Sequence, residues 1–213
     1  MKKNKIAVIG GTGKAGKYLV NELLKQDFSI KLLIRTPEKL QIQNPLMESV
    51  VGNVNNYQSV KSVLSGCEAV ISTLGLGQPN SGKNIFTTAT KNILKVMEEF
   101  KIRRYIVVTG LNVDTPYDLK SKKTQDGTDW MKTHFPETTH DKQLEYEILA
   151  NSNADWTLIR LPLIEQTDQG STVGVSLTDC PGEKISATDL ATFLIEQISS
   201  KEYIRESPFI SNI

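Results

Sequence analysis

Short apolar runs alternate with longer amphipathic ones along most of the chain. Ile6–Ile9, Ile30–Ile34, a stretch ended by Val50-Val51, Ala69–Thr73, Tyr105–Val108 and Trp156–Arg160 are mostly continuous apolar runs rich in Val and Ile. Runs of that kind predict strands covered on both faces. Between them lie segments with helical spacing. Ala15–Lys25 puts Leu19, Leu23 and Leu24 on one face, and Tyr57–Leu64 forms a short helix. Asn84–Phe100 carries Ile85, Ala89, Ile93, Val96 and Met97; His140–Ala150 ends at Asn151–Asn153; Ala187–Ile198 is the last helix. This alternation predicts right-handed crossovers and an α/β fold with a doubly wound parallel sheet.

Two stretches lack clear periodicity. Asn112–Glu137 is polar and aromatic and holds Pro116, Gly127 and Pro136; Gln166–Glu183 is loop-rich. Long irregular segments are lids, binding loops or disordered. Both follow strands at the carboxyl edge of the expected sheet, where open α/β sheets bind ligands.

The first strand runs directly into Gly10-Gly11-Thr12-Gly13-Lys14-Ala15-Gly16. A strand, closely spaced glycines and then a helix form the context of a dinucleotide-binding turn, although the spacing is not the commonest one. Backbone N–H groups and the helix N-terminus there suit a diphosphate. In NAD sites an acid closes the second strand and holds the ribose 2′-OH. Here that strand ends Leu33-Ile34-Arg35. Arg35, assisted by Lys39, matches a 2′-phosphate instead, which predicts NADP(H) over NAD(H). A solvated Arg opening a loop is the alternative. Asn53 and Val54 after the third strand suit an adenine edge and face. Leu74 and Gly75, Thr109 and Gly110, and Leu161, Pro162 and Leu163 follow the fourth, fifth and sixth strands and complete the expected cradle.

The chain has 213 residues and a formal net charge of +1, which suits one domain spanning 1–213. The charge balance makes no case for nucleic acid or an anionic membrane, so a small-molecule substrate is the expected partner. Oligomeric state leaves no mark. Cys67 and Cys180 have no metal-ligand or disulfide spacing, and no metal site is expected. Two such thiols suit the cytoplasm. The apolar run after Lys2-Lys3-Asn4-Lys5 is only about four residues long, short of the ~7–15 of a signal peptide.

On these segments, from Ile6–Gly16 through Leu33–Arg35, Gly52–Val54, Ala69–Gly75, Ala89–Met97, Ile106–Thr109 and Trp156–Pro162 to Ile185–Leu190, the chain resembles the atypical short-chain dehydrogenase/reductases. The likeness is to the NAD(P)H-binding group that includes NmrA-like proteins and the flavin (biliverdin-IXβ) reductases. The resemblance implies a Rossmann-like sheet flanked by helices, with a small C-terminal substrate lobe from about 163–186 and the tail. Members of the group typically carry Asp at the position of Asn53. The family's Ser-Tyr-Lys relay maps poorly: Lys142 stands at the Lys position, Thr138 replaces Tyr, and Gly110 takes the Ser position. A Thr hydroxyl is too weak an acid to replace a phenol. The resemblance therefore implies an NADPH-dependent reductase of a planar conjugated acceptor (flavin-, quinone- or biliverdin-like) that needs little acid help. A non-enzymatic NADP-binding redox sensor is the alternative. Lys142 and His140 are the catalytic candidates; His140 either supplies a proton or caps its helix. Tyr146 and Cys67 are expected to pack, and Trp130 to line the pocket.

Overall fold

The computed structural model describes residues 5–40, 42–76 and 82–213. The first half reads β1 (Lys5–Ile9), α1 (Gly16–Lys25), β2 (Ser29–Ile34), β3 (Met47–Val51), α2 (Tyr57–Leu64), β4 (Ala69–Ser72), α3 (Ile85–Phe100) and β5 (Arg104–Gly110). The second half reads α4 (Lys122–His134), α5 (Pro136–Ala150), β6 (Asp155–Leu161), β7 (Leu163–Glu165), β8 (Val173–Ser176), β9 (Lys184–Ser186), α6 (Ala187–Glu196) and β10 (Phe209–Asn212).

Eight strands form one sheet in the order β3-β2-β1-β4-β5-β6-β10-β8. All neighbours run parallel except β10 and β8. β7 and β9 pair in a separate two-stranded parallel sheet. This is a Rossmann-like α/β architecture. Strand order reverses between β1 and β4, which opens a crevice beyond their carboxyl ends.

The continuous apolar runs have a direct cause. Within β1, Ala7 and Ile9 face a core shared with Val60, Ile93 and Leu149 of α2, α3 and α5. Ile6 and Val8 face a second core with Leu19 and Leu23 of α1 and Leu190 and Leu194 of α6. Both faces are dry, so no polar alternation survives.

Three expectations need correction. The stretch 112–137 is not irregular throughout: α4 occupies half of it, capped by Ser121, whose side chain accepts from Thr124 N. Its buried side is Thr124 and Thr128, so it has no apolar stripe to detect. The helix expected from His140 starts at Pro136, whose ring presets φ for a first helical position. The loop-rich stretch 166–183 contains β8, which pairs antiparallel with β10, a strand the periodicity did not reveal.

Candidate functional site

The turn after β1 is built by backbone constraint. Gly10 holds φ at +78°, a region that L side chains rarely adopt. Gly13 N–H donates to Gly10 O at 3.0 Å and closes the turn. A Cβ on Gly16 would sit 2.1 Å from Gly10 O, so glycine alone lets α1 approach the strand this closely. Ala15, at the helix N-cap, offers no side-chain acceptor. Lys17 N donates to Gly13 O and Leu19 N to Ala15 O, both at 3.1 Å, so the turn stacks directly onto α1 with the helix dipole behind it.

A cavity of about 220 Å³ opens at this turn. Gly10, Thr12 and Gly13 form one wall; Leu33, Arg35 and Thr36 at the end of β2 form another. Gly52, Asn53 and Val54 after β3 and Thr73, Leu74 and Gly75 after β4 complete it. Arg35 is the one charged side chain among the described residues lining it. Asn53 Oδ1 accepts from Asn55 N at 3.0 Å, which shapes that turn.

Further along the sheet edge, Lys142 Nζ donates to Thr109 Oγ1 at 3.2 Å and lies 4.1 Å from the centre of the Phe86 ring. Burial lowers the Lys142 pKa, against the opposing pull of Glu145 and Asp141. Asp141 accepts from Phe86 N at 2.8 Å and Thr87 N at 3.1 Å. It thus caps α3 from α5, because the α3 N-cap, Asn84, makes no side-chain cap bond of its own. Glu145 is buried and accepts from Thr90 Oγ1 at 2.7 Å. Burial raises its pKa, while Lys142 and Thr90 oppose the rise.

The loop after β5 is pinned by ions. Arg160, wholly buried, donates from Nη1 to both Asp118 oxygens at 2.6 and 2.8 Å and lies over the Phe209 ring. Lys120 donates to Leu111 O at 2.9 Å and pairs with Asp114 at 2.6 Å.

A profile described as NAD(P)H-binding matches residues 10–201. The chain belongs to this NAD(P)H-binding family. Solved structures that share its fold include proteins described as short-chain dehydrogenases/reductases and as putative epimerases. Among relatives, the UPF0659 protein YMR090W of Saccharomyces cerevisiae is 23% identical over 93% of this chain and 88% of its own length. The isoflavone reductase homolog A622 of Nicotiana tabacum is 33% identical over 53% of this chain, which covers 37% of it. Among solved structures, a short-chain dehydrogenase/reductase of Veillonella parvula in complex with NADP superposes with a TM-score of 0.79 at 16% identity. That superposition covers 100% of this chain and 95% of the other.

In this NAD(P)H-binding chain, the expected residues fall into groups. Gly10, Thr12, Gly13, Arg35, Asn53, Val54, Leu74 and Gly75 line one cavity. Gly11, Ala15 and Gly16 are buried behind it, and Lys14 is exposed at the turn. The Lys39 side chain lies outside the described residues. Thr109 and Lys142 touch, while Gly110 and Leu161 are register partners across β5 and β6. Pro162 is half-buried; Leu163, at 71% exposure, and His140 face solvent. Trp130 stands 53% exposed and stacks on His134 at 4.4 Å. Tyr146 packs edge-on against Trp156, and Cys67 is buried.

Sequence reasoning missed Thr36 and Thr73 in the cavity wall. Thr73 was assigned to its strand, yet its hydroxyl donates to Ile9 O and Gly10 O, both at 3.3 Å, and ties β4 to the turn. It also missed Thr90, Tyr105, Asp141 and Glu145. The one available signal was the spacing of Asp141, Glu145 and Leu149, a stripe of α5 that is buried despite its two carboxylates.

Proposed function

We propose that the protein is an NADPH-dependent oxidoreductase that passes hydride to a small planar conjugated acceptor such as a flavin, quinone or biliverdin-like ring. Arg35 carries this reading: it lines the same cavity as the glycine turn, in a wall with no carboxylate among its described residues. A guanidinium there selects a 2′-phosphate, where an acid would select the bare ribose. The Veillonella neighbour crystallised with NADP and the reductase name of the tobacco relative support it.

The residues present fit such a cofactor. The turn of Gly10–Gly13, at the head of α1, would hold the diphosphate, Asn53 and Val54 the adenine, and Thr109 with Lys142 the edge nearest the reacting ring. NADPH, when bound, supplies the hydride. Lys142 holds a proton at Nζ beside Thr109, and its lowered pKa eases release to an acceptor. Most of the rate then comes from orienting two planar rings. Cys67 and Cys180 are free thiols, which suits the cytoplasm. No described helix is long and apolar enough to cross a membrane.

Calorimetric titration with NADPH and NADH tests the assignment. One charge-assisted contact is worth about 1.5–3 kcal/mol. Arg35→Ala should therefore weaken NADPH binding about ten- to a hundredfold and leave NADH nearly unchanged. Equal losses for both would refute it. Loss of NADPH absorbance across flavins, quinones and aldehydes tests the chemistry. Tight binding with no turnover of any acceptor would leave the redox-sensor role instead.

A further inference from the structure

A second cavity, of about 380 Å³, opens on the α5 side of the sheet, between the loop after β5, α5 itself and the segment that leads into β10. It shares no lining residue with the cavity at the glycine turn, and its size is that of a small-molecule site. Three aromatic rings line it. Tyr146 and Trp156 meet edge to face with ring centres 6.2 Å apart, and Tyr117, 73% exposed, stands at the rim. A pocket walled by rings accepts a planar apolar group, and the negative ring faces favour a cation.

The charged groups around this cavity decide the sign of its occupant. Arg160 is spent: besides its bonds to Asp118, it donates from Nε to Ser207 O at 2.8 Å and from Nη2 to Leu177 O at 3.1 Å. Arg205 donates to Ala150 O at 3.0 Å and Ser152 O at 2.6 Å, carbonyls at and just past the C-terminal end of α5, where the helix dipole is negative. Glu206 differs. Its main chain is held, with Leu158 N donating to Glu206 O at 3.1 Å, but its carboxylate has no hydrogen bond or ion pair with a described residue. Next to it, Ser207 Oγ is buried without a partner, and one rotation about χ1 turns that hydroxyl toward a bound group.

We propose that this cavity is a second ligand site, which takes a small aromatic amine in its ammonium form. The ring lies among Tyr117, Tyr146 and Trp156, and the ammonium donates to the Glu206 carboxylate and to Ser207 Oγ. Such a ligand gives the half-buried carboxylate a counter-charge and the buried hydroxyl a donor. An anion would meet no uncommitted cation there, because both guanidinium groups are taken. An aliphatic amine would forgo the rings. The site stands apart from the glycine turn, so it does not rest on the NADP(H) reading.

The probe is phenethylamine, followed by fluorescence. Trp130 and Trp156 are the two tryptophans of the chain, so in a Trp130→Phe protein the emission comes from the cavity wall alone. Phenethylamine should change that emission saturably. Phenylacetate has the same ring and the opposite charge, and ethylamine has the charge without the ring; each should bind at least about tenfold more weakly. In the same background Glu206→Gln should weaken phenethylamine about tenfold and Tyr117→Ala about threefold. Neither residue is buried, so both variants should fold. A signal that does not saturate, equal binding of phenylacetate or ethylamine, or undiminished binding in either variant would overturn the proposal. No nucleotide enters the measurement, so any of these results leaves the cofactor reading untouched.

Discussion

Gly16→Ala is the sharpest structural test of the cofactor turn. The added methyl would lie 2.1 Å from Gly10 O and 2.6 Å from Gly11 Cα, both backbone atoms that cannot rotate away. Relief needs a shift of roughly 1 Å in the turn or in α1, since carbon contacts settle near 3.5 Å. Overpacking of this kind costs about 1–3 kcal/mol. Alanine's helix propensity returns up to about 1 kcal/mol, and less at the first helical position. Net destabilisation should thus be about 1–2 kcal/mol by urea unfolding. The larger effect is on binding. In the proposed complex a 1 Å displacement would misalign the turn amides assigned to the diphosphate, and losing two charge-assisted bonds at about 1.5 kcal/mol each would lower NADPH affinity about a hundredfold. Gly13→Ala is the control: its methyl would meet only Gly10 O, at 3.2 Å, and should change stability little. A Gly16→Ala protein that binds NADPH as tightly as wild type would refute the close-approach account of this turn.

Asp118→Ala strands the buried Arg160 guanidinium, whose partner side chains are 1% and 11% exposed in the pair. Stability should fall by about 3–5 kcal/mol in urea, and a loss below about 1 kcal/mol would contradict the pinned loop. Lys142→Ala should slow acceptor reduction while NADPH still binds; unchanged turnover would remove Lys142 from the chemistry. Burial pushes the Cys67 thiol up to about 11, so a thiol reagent near pH 8 should leave it unlabelled in the native protein and label it in urea. Desolvation acts to raise the Asp114 carboxyl, but Lys120 and Lys132 hold it below its ordinary value. Its folded pKa is depressed, so its contribution is present above the unfolded value of about 3.9 and lost as pH falls through the folded one. Asp114→Asn should make thermal stability less sensitive to acid there, and an unaltered acid limb in circular dichroism melts would count against the pair.

Periodicity reported correctly wherever partition between water and core decides an element. β1, β2, β4, β5 and β6 are dry on both faces and announce themselves as apolar runs. The glycine spacing was equally legible, and so was the place of Arg35 at the end of β2 beside that turn, because turns and strand ends are written within a few residues. Folding alone decided the rest. The edge of the sheet depends on β8 finding β10, a pairing that brings Val173 beside Asn212. α4 has threonines on its buried side, and its preceding loop is held by Arg160 and Asp118, 42 residues apart. Glu145 reads as a surface residue until Thr90, 55 residues away, meets it in the core. Burial of a carboxylate such as Glu145 depends on a partner supplied from a distant element, so its place is a property of the assembled structure and leaves no trace in the local pattern.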